Sequence, residues 1–123
     1  MSGETDLKTL IATMRPELHD GAYEFVTTAD PTLDEVASAV VVVREDEGVT
    51  LVRTVGESSP DAMAWITLTV HSSLQAVGLT AAVATALAER GIACNVIAGY
   101  HHDHLFVPWT RRDEAIIGLL ALA

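Results

Sequence analysis

The chain of 123 residues has a single cysteine, Cys94, so it can form no disulfide within itself. Structural disulfides belong to oxidising compartments, and a chain without them fits a reducing cytoplasm. No apolar run approaches the ~18 residues that a membrane-spanning helix needs. The N-terminal segment MSGETDLK also lacks the basic and apolar regions of a signal peptide. We therefore expect a cytoplasmic protein that does not bind membranes.

Basic residues are scarce as well. Seven Lys and Arg stand against 17 Asp and Glu, which gives a formal net charge of −10. Because the seven are scattered along the chain, they form no basic face that would neutralise phosphates, so we expect no nucleic acid partner. Half of the residues are apolar and 20% are charged, a balance that predicts a folded core rather than disorder.

The N-terminal half alternates short helical and extended patterns. The spacing of apolar residues predicts a helix over 7–15, a strand over 23–28, a helical turn over 30–36 and a hairpin of strands 39–43 and 49–55. Residues 39–43 (AVVVV) are apolar on both faces, which predicts a strand inside a sheet. The linker-like stretch GESSPDAMA, residues 56–64, marks a boundary between an N-terminal subdomain, 1–58, and a C-terminal subdomain, 59–123.

The C-terminal half reads strand, helix, strand, strand, helix. Ile66 and Leu68 alternate with Thr67 and Thr69, and a helical stripe then runs to Leu87. Gly91 lies where a C′ glycine would end this helix. The pattern then continues with strands over 93–99 and 105–107, which a turn at 100–104 joins, and with a final helix. This order is most of a ferredoxin-like βαββαβ unit, an α+β fold. The missing strand must come from the N-terminal half or from a partner chain.

The loop His71–Thr80 is the first candidate site, because it opens the helix of the C-terminal half. Unpaired amides and the positive end of the helix dipole favour a carboxylate at this place. Ser72 and Ser73 can add hydroxyl donors, and Gly78 allows a ligand to approach the backbone. The alternative is that a serine merely caps the helix and Gly78 only makes the bend.

The strand after this helix carries a polar residue, Asn95, within an apolar run. Its amide would hold either a ligand or a neighbouring loop, and the sequence leaves both open. Cys94 has no base near it in sequence, which favours packing over nucleophilic catalysis.

The turn His101-His-Asp-His104 carries imidazoles and a carboxylate that could bind zinc or nickel. Consecutive side chains of a hairpin point alternately to its two sides, so at most two would converge on one ion. We therefore favour a polar turn that directs Asp103 or one histidine toward a small molecule, and we expect neither a metal nor a cofactor.

Two segments, WITLTVHSSLQAVGLTAA (65–82) and GIACNVIAGYHHDHLFVP (91–108), resemble the ACT domain, and more closely a small bacterial family of ACT-like proteins of uncharacterised function. Residues 7–23 and REDEGVTLV (44–52) are similar to the N-terminal half of that family. The chain is more distantly similar to the ACT pairs of aspartate kinases and of CASTOR-type arginine sensors.

The resemblance implies tandem ferredoxin-like ACT subdomains, the first of them degenerate, with an amino acid bound between a loop and a strand. ACT loops often open with an acid and a proline, where this chain has Gln75-Ala-Val-Gly78. The ligand's carboxylate would bind amides of 77–80, and its ammonium would meet carbonyls of the strand and Asp103. The implied ligand-binding residues are Ser72, Ser73, Leu74, Ala76, Val77, Gly78, Leu79 and Thr80 on the loop, with Cys94, Asn95, Val96 and Asp103.

The expected function is that of a non-enzymatic regulatory protein that binds an amino acid or a related metabolite. We expect a homodimer formed through a sheet edge or a sheet–helix face. No catalytic domain accompanies the predicted fold, so a regulated enzyme would be a separate protein. The alternatives are an interaction module without a ligand and, less favoured, a metal-binding protein that uses the turn His101–His104.

Overall fold

The structure, a computed structural model, describes residues 6–70 and 77–123. The chain forms two compact units, of which the first combines Met1–Asp20 with Ala64–Ala123 and the second is Gly21–Met63. The N-terminal residues group with the later half of the chain because strand Pro16–Leu18 pairs there. The boundary expected between residues 58 and 59 falls inside the second unit, and a division of the sequence into 1–58 and 59–123 stays a prediction.

Apart from strand Pro16–Leu18, which the sequence analysis did not predict, the helices and strands follow one another as predicted, with small shifts in their bounds. In chain order they are α1 (Leu7–Thr13), β1 (Pro16–Leu18), β2 (Ala22–Thr28), α2 (Leu33–Ser38), β3 (Val41–Glu45), β4 (Gly48–Val55), β5 (Met63–Leu68), α3 (Leu79–Glu89), β6 (Asn95–Ala98), β7 (Asp103–Pro108) and α4 (Arg112–Leu120). A 3₁₀ turn, Trp109–Arg111, precedes α4. Within residues 6–70 and 77–123, no helix has both the length and the apolar character to cross a membrane.

The sheet of the first unit has the strand order β1-β5-β7-β6. β1 is antiparallel to β5, with Leu18 opposite Ile66, and β6 is antiparallel to β7, with Asn95 opposite Phe106. β1 thus supplies the fourth strand of the ferredoxin-like unit from the N-terminal half of the same chain. The predicted α+β fold is confirmed. Of the two sources expected for that strand, the N-terminal half is confirmed.

The core of the first unit lies between one face of this sheet and the helices. Ile66 and Leu68 of β5 are at most 1% exposed, and both belong to the buried cluster that joins the strands to α1, α3 and α4. The predicted alternation of β5 is therefore confirmed. Burying one such aliphatic side chain stabilises the fold by about 1.5–3 kcal/mol. The other members are Leu10, Met14, Ala64, Leu79, Val83, Leu87, Ile92, Leu105, Val107, Ala115 and Leu119.

Helix α3 ends at the predicted glycine. Gly91 has a φ of +70°, the left-handed conformation that glycine adopts without steric cost. The amide of Ile92 donates to the carbonyl of Leu87 at 2.9 Å, and that of Gly91 donates to Ala88 at 2.9 Å. These two bonds are the Schellman pattern, which satisfies carbonyls that the helix end leaves without partners.

The second unit is a hairpin of β3 and β4 with β2 on the other side of β4. Leu51 of β4 lies opposite Val42 of β3 and Val26 of β2. The prediction that the valine run lies inside a sheet is wrong, because β3 ends the strand order of this unit and Val43 is 42% exposed. Valine favours extended backbone whatever covers it, so the run identified the strand but not its position.

Candidate functional site

The start of α3 is the part of the expected loop site that the structure describes. Gly78 is the N-cap residue, with a φ of +101°, and as a glycine it has no side chain to bond the helix amides. The first amides of an α-helix have no partner within the helix. Ser72, Ser73, Leu74 and Ala76 lie outside the described residues.

The other helix starts differ from this one. The carboxylate of Asp6 accepts from the amide of Thr9 at 3.0 Å at the start of α1, and Thr32 with Glu35 forms a capping box on α2. Helix α4 carries Asp113 and Glu114 in its first turn, whereas the first turn of α3 contains no acidic residue. Carboxylates are favoured at such a terminus, and α3 does not supply one from its own first turn.

The surroundings of Gly78 are partly apolar. A Cβ placed on Gly78 would lie 3.1 Å from Cδ2 of Leu7, so α1 approaches the start of α3 on that side. Leu79 is buried in the core, but Thr80 is exposed and Val77 is 82% exposed. The start of α3 is therefore accessible on the side of Val77 and Thr80.

The residues expected on the strand side point to both faces of the sheet. Cys94 and Val96 pack against the core cluster, while Asn95 is exposed. Asn95 therefore does not need an internal partner. Burial raises the pKa of the Cys94 thiol to about 11. A thiol with this pKa is protonated at neutral pH, in agreement with packing rather than catalysis.

The two sides of the expected site lie toward opposite ends of α3. The helix has 11 residues, so its ends are about 16 Å apart. Cys94–Val96 follow its last turn, and Val77–Thr80 begin it. Asp103 lies opposite Ala98, at the end of β6 distant from Asn95. Within one chain, Asp103 therefore lies toward the end of the sheet where α3 begins, and Cys94, Asn95 and Val96 lie toward its other end.

The expected histidine turn is shorter than predicted. The amide of Gly99 donates to the carbonyl of His102 at 2.8 Å, and both Asp103 and His104 belong to β7. His104 lies on the opposite side of β7 from the core residue Leu105, and His101 is exposed. In the described part of the chain, no three His, Cys, Asp or Glu residues are placed to hold a metal ion.

A polar group that the sequence analysis missed lies on the sheet face opposite the core. We call it the histidine–tryptophan cluster, and it consists of His19, Trp65, Thr67 and His104. Nε2 of His19 lies 2.7 Å from Oγ1 of Thr67, which lies 3.1 Å from Nδ1 of His104. The Trp65 indole N–H donates to that same Nδ1 at 3.1 Å. The rings of His19 and Trp65 stack at 3.6 Å.

Burial affects both imidazoles of this cluster. Thr67 is 7% exposed, and the two histidines are half-buried beside it. Loss of hydration lowers the pKa of His19 and that of His104 below their ordinary value, because it disfavours the charged imidazole. The alternation of β5 places Trp65 and Thr67 on one face, which was visible in sequence. The contribution of His19 depends on the register of β1 and was not.

Two family models, each described as an ACT domain, match residues 2–64 and residues 63–120. Among curated proteins, none matches the chain. A crystal structure of a protein of unknown function from Vibrio cholerae, described as a possible transport protein, is 47% identical over 92% of both chains, with a TM-score of 0.80.

Structures of aspartokinases are similar at lower identity. The aspartokinase alpha and beta subunits are 12% identical over 89% of this chain and 98% of that one, with a TM-score of 0.65. Aspartokinase III of E. coli, solved with aspartate and ADP, is 13% identical over 87% of this chain and 32% of that one, with a TM-score of 0.64. At these identities the likeness shows the fold alone. Together with the two family matches, these findings show that the chain belongs to the ACT domain family and carries two ACT units in tandem.

Proposed function

We propose that this protein is a non-enzymatic cytoplasmic regulator that binds a free amino acid at the start of α3. ACT domains are commonly regulatory modules that bind small molecules, and both halves of the chain match them. A helix start with unpaired amides favours a carboxylate, which supports an amino acid as the class of ligand.

The start of α3 is the observation on which the proposal depends. It has a glycine at the N-cap and no acidic residue in its first turn, whereas α1 and α2 are capped by their own side chains. An amino acid carboxylate would accept hydrogen bonds from the amides of Leu79 and Thr80 and would be favoured by the helix dipole. The half-exposed Asp103, at the neighbouring end of β7, would attract the ammonium group.

A homodimer would reunite the two sides of the site. Among the described strands, β6 pairs with β7 alone, so its other edge can pair with a second copy. Antiparallel pairing of two β6 edges would place Cys94–Val96 of one copy near the end of the sheet where α3 of the other copy begins. Backbone carbonyls of that strand would then be available to the ammonium group of the ligand.

The binding proposal is tested by thermal melting of the protein with each of the twenty amino acids. We expect saturable stabilisation by at least one, because a ligand that binds only the folded state at 100 times its Kd adds about 2.7 kcal/mol. Thr80→Asp places a carboxylate at the second residue of α3, so it should weaken binding at least tenfold. Thr80→Asn, the uncharged control, should bind nearly as well as the wild type.

The result also separates the proposal from a ligand-free interaction module. A module of that kind would show a concentration-dependent mass in sedimentation and no stabilisation by any amino acid. If no amino acid stabilises the wild-type protein, or if Thr80→Asp binds as tightly as Thr80→Asn, the proposed site is wrong.

A further inference from the structure

The histidine–tryptophan cluster has hydrogen bonds that admit only one protonation state of His104. An indole N–H donates and never accepts, so Nδ1 of His104 must accept the bond from Trp65 at 3.1 Å. The ring is therefore neutral, with its proton on Nε2. The hydroxyl of Thr67 can donate toward the same Nδ1 while it accepts from Nε2 of His19 at 2.7 Å.

We propose that this cluster is a proton-sensitive element of the first unit, intact only while Nδ1 of His104 carries no proton. Protonation of His104 would set its Nδ1–H against the indole N–H of Trp65, two donors at hydrogen-bond distance. The bond between Trp65 and His104 must then break, and the indole must turn away or the imidazole must move toward solvent. The sheet face at β5 and β7 loosens as a result.

His19 responds differently to a proton. Its protonated ring still donates from Nε2 to Thr67, and it lies stacked 3.6 Å from the Trp65 indole. A cation over an indole face is attracted to it. His19 therefore keeps its contacts when it is charged, and His104 is the residue whose protonation breaks the network.

Several charged groups act on the two imidazoles, and they set the direction of the response. Burial is the largest effect on the pKa of His104 and lowers it. The charges of His102 and His19 also lower this pKa, whereas Asp103 raises it. Burial is also the largest influence on His19, opposed by Glu17 and Asp20. The balance lowers the pKa of each imidazole below its ordinary value, so the cluster opens only in solution more acidic than that value.

The proposal is tested by NMR titration of the full chain from pH 8 to pH 5. The Trp65 indole N–H signal, identified with a Trp109→Phe variant, should move upfield as its hydrogen bond is lost. Its midpoint should coincide with that of the His104 imidazole and lie below 6.5, the ordinary value. An indole signal that stays constant, or that follows a different midpoint, overturns the proposal.

Two variants isolate His104. His104→Asn keeps an oxygen acceptor near the position of Nδ1 but does not titrate, so the upfield shift that marks the loss of the Trp65 hydrogen bond should be absent, and only the smaller effect of charge on the stacked His19 should remain. His101→Asn, on the adjacent exposed turn, should leave the wild-type transition unchanged. An equal indole shift in His104→Asn would overturn the proposal, and if that variant does not fold, the coincidence of the two wild-type midpoints decides.

Discussion

Leu7 of α1 closes one side of Gly78, the residue that begins α3: a Cβ on Gly78 would lie 3.1 Å from Cδ2 of Leu7. The same glycine has a φ of +101°, where side chains are rarely found. A side chain at position 78 is thus disfavoured both by contact with Leu7 and by the backbone conformation. This position adjoins the amides to which we propose that the ligand binds.

Gly78→Ala should lower the free energy of unfolding by about 1–3 kcal/mol, because alanine is strained at this φ. Addition of Leu7→Ala should recover only the steric part of that loss, since the backbone strain remains. Urea unfolding of both single variants and of the double variant gives the coupling energy. A Gly78→Ala protein as stable as the wild type would show that the described backbone at this position is wrong.

Thr67→Val removes the hydroxyl between His19 and His104 with little change of volume. Because Thr67 is 7% exposed, the loss of its bonds should cost about 1–3 kcal/mol of unfolding free energy at pH 7. Thr69→Val is the matched control, since its hydroxyl donates to the carbonyl of Arg15 at an exposed position and should cost less. If chemical denaturation shows the same loss of unfolding free energy in Thr67→Val and Thr69→Val, the bonds of Thr67 have no greater effect on stability than an exposed hydrogen bond.

Arg111 secures the far end of α3. Its Nη2 donates to the carbonyl of Arg90 at 2.9 Å and to Oε1 of Glu114 at 2.8 Å. Arg111→Gln should cost about 1 kcal/mol, because a carbonyl at the helix end loses a charged donor. Glu114→Gln keeps the bond of Arg111 to the carbonyl of Arg90 but removes the exposed ion pair and a carboxylate from the first turn of α4, so it should cost less, about 0.5 kcal/mol. Thermal unfolding compares the two, and the reverse order would contradict this assignment.

Cys94 should react slowly with iodoacetamide at pH 8, because burial raises its pKa to about 11 and leaves little thiolate. The raised pKa also makes the free energy of unfolding depend on pH. Burial of the neutral thiol contributes fully to stability below the ordinary pKa of 9.0. This contribution is lost as the pH rises toward about 11, because the thiol of the unfolded chain ionises first. The slope of unfolding free energy against pH between these values should be smaller in Cys94→Ala. Fast alkylation of the folded protein would contradict the burial of this thiol.

The sequence predicted the fold of the first unit well because its elements have clear local signals. The alternation of Ile66 and Leu68 and the C′ glycine at position 91 are of this kind, and both are found as predicted. The valine run of β3 was misplaced inside a sheet because composition does not reveal which strands neighbour it. The sequence indicated that the fourth strand comes either from the N-terminal half or from a partner chain. The pairing of Leu18 with Ile66 in the structure shows that it comes from the N-terminal half.

The candidate site was less accessible to sequence reasoning. A helix start at Gly78 can be recognised from the glycine and the apolar stripe that follows. The separation of Thr80 from Asn95 depends on the length and direction of α3, which reverses the chain between them. The contacts of His19 with Thr67 and of Trp65 with His104 depend on the registers of three strands, which the sequence pattern does not fix.

The most direct test of the account is an NMR titration of the wild-type protein with the amino acid that stabilises it most. We expect the backbone amide signals of Leu79 and Thr80 to shift in a saturable way, with the downfield change of new hydrogen bonds to a carboxylate. In Thr80→Asp, the same ligand concentrations should produce little shift. Saturable binding that leaves these two amides unchanged would contradict the proposed site, and the absence of binding by all twenty amino acids would contradict the proposed function.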